Sequence, residues 1–155
     1  MEVQTKKQLR VELFQVEMPT NGDNSCTACD TVQVKLVSAI QEVQKLFDKI
    51  GCEILFKHTT VKSLEEAEKF NINASPTIRV GHFDFYPNHV SECSEAREWF
   101  WDDETLAEPN EVILIQVLLK GYFSKTENTE RKKLSPYILK HLTDKQIQNT
   151  NGGCK

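Results

Sequence analysis

Cys26 and Cys29 are the residues of this chain whose type and spacing most directly suggest chemistry. Two thiols separated by two residues, here Thr27 and Ala28, can close an intramolecular disulfide and open it again by exchange. As thiolates the same pair can bind a soft metal or metalloid. Cysteines are also common as small buried hydrophobes with no chemical role. Which of these three roles applies depends on the elements that position the pair.

The segments around the pair predict a strand before it and a helix after it. Residues 9–16 alternate apolar and polar side chains, which is typical of a strand with one buried face. A helix capped by Asn24 or Ser25 and ended by Gly51 would place both cysteines in its first turn. Its predicted apolar stripe consists of Val32, Leu36, Val37, Ile40, Val43, Leu46, Phe47 and Ile50.

A thiolate at the start of a helix is stabilised by free backbone N–H groups and by the helix dipole. These effects lower the pKa of a cysteine from about 8.5 toward neutrality. The carboxylates of Asp23 and Asp30 flank the pair and oppose this effect. We expect Cys26, the more exposed by position, to be the attacking sulfur, and Cys29 to close the disulfide.

The remaining elements complete an α/β pattern. Residues 52–58 have strand composition, which makes Cys52 a core residue, and Ser63 with Glu66 forms a capping box that opens a short helix. The runs TIRV and HFDFY predict a hairpin turning at Gly81. The run REWFW (97–101) predicts another short strand, and Pro109 opens an apolar helix at a tolerated first-turn position.

The predicted fold class is therefore α/β, with a mixed central sheet of four to five strands flanked by helices in the order βαβαββ(β)α. We expect one domain over residues 1–123. Residues 124–155 form a polar C-terminal extension containing a short amphipathic helix at about 135–148.

Bulk composition limits the function classes. The chain has 155 residues, 39% of them hydrophobic, and a net charge of −4, which argues against nucleic-acid and anionic-membrane binding. The first ten residues do not form a secretory signal, and no apolar run is long enough to span a bilayer. We expect a cytoplasmic protein, where five cysteines are seldom structural disulfides. The oligomeric state is left open.

The run Ser75-Pro76-Thr77-Ile78, placed before a predicted strand, adds a resemblance. Together with the cysteine pair and the order of elements, it makes residues 9–123 resemble the thioredoxin-like superfamily. The resemblance implies that Pro76 is cis and lies against the cysteine pair. It also implies that Ser75, Pro76 and Thr77 bind the substrate, with the backbone of Ser75 presented to an extended segment.

Within that superfamily the chain is similar to a small group of uncharacterised prokaryotic proteins, a domain-of-unknown-function family. The shared features are the cysteine pair, the Ser-Pro-Thr-Ile loop, a cysteine-bearing segment after the hairpin and a Pro-led apolar helix. In that segment this chain has Cys93 as a candidate third thiol, with Ser94 and Ala96 nearby.

The expected activity is thiol–disulfide exchange through Cys26 and Cys29 on a protein or small-molecule disulfide, which would make the chain a thiol-disulfide oxidoreductase. We expect no cofactor. A resident zinc site would need two more ligands, and the chain has neither a second Cys-x-x-Cys nor a His pair at i, i+4. We interpret the four histidines as surface or strand-end residues and not as ligands: His58, His82, His89 and His141. The alternatives are thiolate binding of a soft metal or metalloid without turnover and a scaffold for protein interaction alone.

Overall fold

The computed structural model of the chain describes residues 7–17, 27–89, 97–124, 134–139 and 142, with the backbone alone for residues 27–30. In chain order its helices and strands are β1 (Lys7–Val16), α1 (Thr27–Lys49), β2 (Cys52–Val61), α2 (Leu64–Phe70), β3 (Thr77–Val80), β4 (Phe83–Phe85), β5 (Asn88–His89), β6 (Arg97–Trp101), β7 (Glu104–Leu106) and α3 (Glu111–Phe123).

The central sheet has four strands in the order β2-β1-β3-β4. β1 and β2 are parallel along their whole lengths, from Lys7 opposite Cys52 to Val16 opposite Val61. β3 runs antiparallel to β1, and β4 antiparallel to β3 through a turn at Gly81, which has a positive φ of 61°. The predicted fold class is confirmed, and the arrangement is consistent with the thioredoxin-like fold.

β1 is a central strand, and its last four residues, Leu13–Val16, are buried on both faces. Leu9, Val11 and Leu13 contribute to a core between the sheet and the helices α1 and α3. Phe14 and Val16 contribute to a second core on the opposite face. The strict alternation seen in residues 9–13 therefore breaks at Phe14, because side chains of both parities meet packed neighbours there.

α1 covers the first core with most of the predicted apolar stripe. The prediction was wrong at the C-terminal end of the stripe. Leu46 and Ile50 were predicted to lie in the stripe but are 52% and 53% exposed. Ile50 does not continue the stripe because the helix ends at Lys49 and Gly51 turns the chain toward β2. The buried residues are Val32, Leu36, Ala39, Val43 and Phe47.

α3 lies beside α1 on the same face of the sheet. Lys35 pairs with Glu108 at 3.1 Å, and the Ser38 hydroxyl donates to Glu111 at 2.7 Å. The predicted apolar helix is confirmed as α3, but Pro109 does not lie in its first turn: Asn110 caps the helix by accepting a hydrogen bond from the Ile113 N–H, so Pro109 stands before the cap. No helix among the described residues is long and apolar enough to cross a bilayer.

The predicted strand at residues 97–101 exists as β6 but does not join the central sheet. It pairs with β5 on one side and β7 on the other in a separate three-stranded sheet. Trp99 and Trp101 attach this small sheet to the hairpin, because both rings contact Phe85 at centroid distances of 4.9 and 5.5 Å.

The second core is closed by α2 and by the C-terminal extension. Ser63 caps α2 by accepting a hydrogen bond from the Glu66 N–H, as the capping box predicts. Residues 136–139 are helical, and Tyr137, Ile138 and Leu142 are at most 1% exposed. Most of the predicted 135–148 helix lies outside the described residues. The extension thus packs on the same face of the sheet as α2.

Candidate functional site

The loop that precedes β3 lies at the carboxyl end of β1. The Val16 N–H donates a hydrogen bond of 3.0 Å to the Ser75 hydroxyl, and Thr77 is in register with Phe14. The Ser75–Pro76 peptide bond is cis, as the resemblance implied. Ser75, Pro76 and Thr77 are all buried.

The start of α1 lies at the same edge of the sheet. Near the other end of the helix, the Gln44 amide bonds both the Cys52 carbonyl, at 3.0 Å, and the Ile54 N–H, at 2.8 Å. Cys52 begins β2 opposite Lys7, the first residue of β1. The 23 residues of α1 span about 34 Å, and the 10 residues of β1 about 33 Å. α1 therefore runs back along the full length of β1.

The start of α1 and the loop of Ser75 and Pro76 lie at one edge of the sheet. The backbone of residues 27–29 opens α1 at the edge where Ser75 and Pro76 enter β3. The side chains of the cysteine pair are not part of the description, since Cys26 and the predicted caps Asn24 and Ser25 lie outside the described residues. Their catalytic role stays a prediction.

The remaining cysteines lie elsewhere or are not described. Cys93 and Cys154 lie outside the described residues. Cys52 is 3% exposed at the far end of β2, which confirms the prediction that it is a core residue. Burial raises the pKa of its thiol, and the nearby Lys7 charge opposes this rise. Cys52 is therefore remote from the edge where α1 begins.

The backbone of Ser75 is engaged by two side chains of the small sheet. The Ser75 N–H donates to His89 Nε2 at 3.2 Å, and Arg97 Nε donates to the Ser75 carbonyl at 2.7 Å. His89 and Arg97 face each other across the β5–β6 pair. Because Nε2 accepts this bond, the neutral imidazole carries its proton on Nδ1. The expectation that Ser75 presents its backbone to a substrate would require both side chains to move.

Tyr137 of the C-terminal extension holds these two side chains. Its ring stacks on His89 with a centroid distance of 4.4 Å and an angle of 15°, and the Arg97 guanidinium lies 5.9 Å from its centroid. Arg97 is only 7% exposed. The loop before β3 is thus covered by the small sheet and by the extension together.

Sequence reasoning missed this cover. His89 was interpreted as a surface or strand-end residue, and Arg97 was read only as the first residue of a strand. A signal was present in the strand REWFW: Arg97 is in phase with Trp99, and Trp99 is buried. A charged residue on the apolar face of an alternating strand needs a buried partner.

A second polar pair joins the carboxyl halves of β1 and β2. Gln15 follows Leu13 by two residues, so its side chain lies on the α1 face of the sheet. It is 7% exposed, and its Oε1 is 2.9 Å from His58 Nε2. His58 is exposed, as expected, but its hydrogen bond to a buried amide could not be predicted from the sequence pattern.

A metal centre finds no support in the described part of the chain. Within it, no group of three or more His, Cys, Asp or Glu side chains is arranged to hold a metal ion. This statement does not cover Cys26, Cys29 and Cys93, because their side chains are not described.

The chain matches a protein-family model described as a domain of unknown function, DUF2703, over residues 15–115. The match includes the cysteine pair, the loop before β3 and the small sheet. No curated protein and no solved structure matches the chain. The family description names neither a thioredoxin relationship nor a cysteine motif, so only the expectation of an uncharacterised family is confirmed. The chain belongs to the DUF2703 family of domains of unknown function.

Proposed function

We propose that this chain is a thioredoxin-like protein that carries out thiol–disulfide exchange through Cys26 and Cys29. One observation carries the proposal: the start of α1, which includes Cys29 and directly follows Cys26 in the sequence, lies at the same sheet edge as the loop of Ser75 and Pro76. A thiol at that position meets the free N–H groups of a helix start, which favour the thiolate.

The exchange proceeds in two displacements. The Cys26 thiolate attacks one sulfur of a substrate disulfide, forming a mixed disulfide and releasing one substrate thiolate. The Cys29 thiolate then attacks the Cys26 sulfur and releases the second substrate thiolate. The dithiol of the chain is oxidised by two electrons, the substrate is reduced to two thiols, and the reverse reaction follows the same steps.

The loop before β3 forms the opposite wall of this site in the proposal. Pro76 has no N–H group and therefore offers no donor beside the sulfur atoms. Thr77 holds the loop by donating its hydroxyl to the Ala74 carbonyl at 2.7 Å. The alternative function, thiolate binding of a soft metal without turnover, is favoured by no contact among the described residues.

A single-turnover reaction tests the proposal. The pre-reduced chain is mixed with bis(2-hydroxyethyl) disulfide, and thiol release and protein mass are followed. The wild type should release two thiols and gain a Cys26–Cys29 disulfide. Cys29→Ser should stop at the mixed disulfide on Cys26, and Cys26→Ser should form neither product.

Cys52→Ala is the matched control, because Cys52 lies at the opposite end of the sheet and is buried. It should react as the wild type does. If the wild type reacts no faster than Cys26→Ser, the proposed exchange does not occur. Saturable binding of Cu(I) or As(III) by the unreactive pair would then favour the metal-binding alternative.

A further inference from the structure

Four main-chain groups of the loop before β3 have partners within the chain. The Asn73 carbonyl accepts from the Ser135 N–H at 2.8 Å, and the Ala74 carbonyl accepts from the Thr77 hydroxyl. The N–H and carbonyl of Ser75 are bonded to His89 and Arg97. Pro76 has no N–H to offer.

An extended peptide binds at the edge of a sheet through free main-chain donors and acceptors. None of the bonded groups from Asn73 to Ser75 is free to make such a bond. To pair with Ser75, a peptide would have to displace both side chains from it. Displacing Arg97 would also separate a guanidinium that is 7% exposed from its carbonyl partner, which is unfavourable for a buried charged group.

The side chains that occupy Ser75 are themselves fixed by packing. His89 stacks on Tyr137, and Arg97 lies against the same ring. Tyr137 is 1% exposed and belongs to the second core, next to Ile138 and Phe14. Releasing the loop therefore requires a disturbance of the core that includes the C-terminal extension. A rotamer change of a surface side chain would not be enough.

We infer that the site acts on low-molecular-weight disulfides and not on disulfides within extended protein segments. This inference rests on the proposed exchange at Cys26 and Cys29. A small disulfide needs only access to the attacking sulfur. A protein segment also needs main-chain hydrogen-bond donors and acceptors, and four of those in this loop are already bonded within the chain. The electron balance is that of the two displacements: two electrons pass from the dithiol to one small disulfide, which leaves as two thiols.

The test compares two disulfides of the same intrinsic reactivity. One is cystine capped by acetyl and amide groups, and the other places the same disulfide at the centre of two extended seven-residue peptides. Single-turnover rates are measured with the pre-reduced chain carrying Cys154→Ser, so that this additional thiol does not react. Cys26→Ser in the same background gives the rate without the attacking sulfur.

We expect the capped cystine to react at least as fast as the peptide disulfide. Two main-chain hydrogen bonds to a docked peptide would instead accelerate the peptide roughly tenfold or more. A peptide advantage of that size would overturn the inference and leave the proposed exchange standing. If neither disulfide reacts faster than with Cys26→Ser, the proposed exchange itself fails.

Variants that free the loop provide a second readout. Arg97→Met removes the bond to the Ser75 carbonyl and His89→Leu removes the bond to its N–H, while Glu98→Gln alters an exposed neighbour as the control. The first two should raise the ratio of peptide to cystine rates, and the control should not. An unchanged ratio in folded variants would contradict the proposed role of these two side chains. If the variants do not fold, the ratio of peptide to cystine rates in the wild type tests the inference by itself.

Discussion

Cys52 shows how strongly its surroundings determine what a cysteine of this chain can do. It is the first residue of β2 and is 3% exposed in the core under α1. Burial disfavours the thiolate and raises the pKa of the thiol above its ordinary value of 9.0. Cys52 is thereby kept in the thiol form, which is not the nucleophile in disulfide exchange.

The raised pKa predicts a stability that falls in alkaline solution. In the unfolded chain Cys52 ionises at its ordinary value, while in the folded chain it stays protonated to higher pH. Its contribution to the free energy of unfolding is therefore complete below pH 9.0 and is lost as the pH rises through the folded pKa.

Urea denaturation between pH 7 and 10 measures this contribution. The fall in unfolding free energy should be steeper in the wild type than in Cys52→Ala, which has no group to ionise there. Other groups titrate in both proteins and cancel in the comparison. Parallel pH profiles would show that burial does not shift this thiol.

The burial of Cys52 could be predicted from the sequence, but the burial of Arg97 could not. Cys52 could be placed in the core because it alternates in phase with Ile54 and Phe56. Arg97 could not be placed, since a charged residue normally indicates an exposed position. Its burial depends on the Ser75 carbonyl and on Tyr137, which are distant in sequence and meet it only in the folded chain.

Among the elements, α3 lies very close to β3 at Gly121. A Cβ added there would lie 2.3 Å from Val80 Cγ1 and 2.7 Å from the Val80 carbonyl oxygen. Both distances are well below van der Waals contact, so α3 and β3 would have to separate. The glycine is therefore required by packing, although it lies inside a helix.

Gly121→Ala should consequently destabilise the chain. Replacing glycine by alanine in a helix interior gains about 1 kcal/mol of helix propensity, whereas overpacking typically costs about 1–3 kcal/mol and more when backbone must move. We expect a net loss in urea denaturation. Val112→Ala, at a 63% exposed position of the same helix, should change stability by less than about 0.5 kcal/mol. A stabilised Gly121→Ala would contradict the close approach.

Long periodic elements were predictable, and short paired ones were not. The stripe of α1 and the hairpin at Gly81 carry their signal in local spacing. β5 and β7 contain two and three residues, and such short strands are defined by the partners they pair with. Pro109 was misplaced in the first turn of α3 because Pro109 and Asn110 both suit a helix start, and only the bond from Ile113 shows that Asn110 is the cap.

At the scale of the whole molecule, two cores lie on opposite faces of one sheet, and the C-terminal extension closes the second. The apolar positions Tyr137, Ile138 and Leu142 were identifiable from spacing. The surface that these residues cover could not be predicted, because it is formed by β1, β2 and α2 together. The cover over Ser75 follows from the same docking and was beyond local patterns for the same reason.

Neighbouring residues of the extension provide a matched test of this docking. Ile138 is fully buried, so Ile138→Ala should lower the free energy of unfolding by about 2–5 kcal/mol. Leu139 is 44% exposed, and Leu139→Ala should cost less than about 1 kcal/mol. Both are measured by urea denaturation. Equal small effects would mean that the extension does not contribute to the second core.

The central claim is that Cys26 and Cys29 form a reversible disulfide at the sheet edge shared by the start of α1 and the loop of Pro76. Equilibration in glutathione buffers of graded composition, followed by acid quenching and mass mapping of every cysteine, tests it most directly. The account predicts one two-electron transition that converts the Cys26 and Cys29 thiols into a single intramolecular disulfide. Stable glutathione adducts on separate cysteines, with no bond between these two, would contradict it.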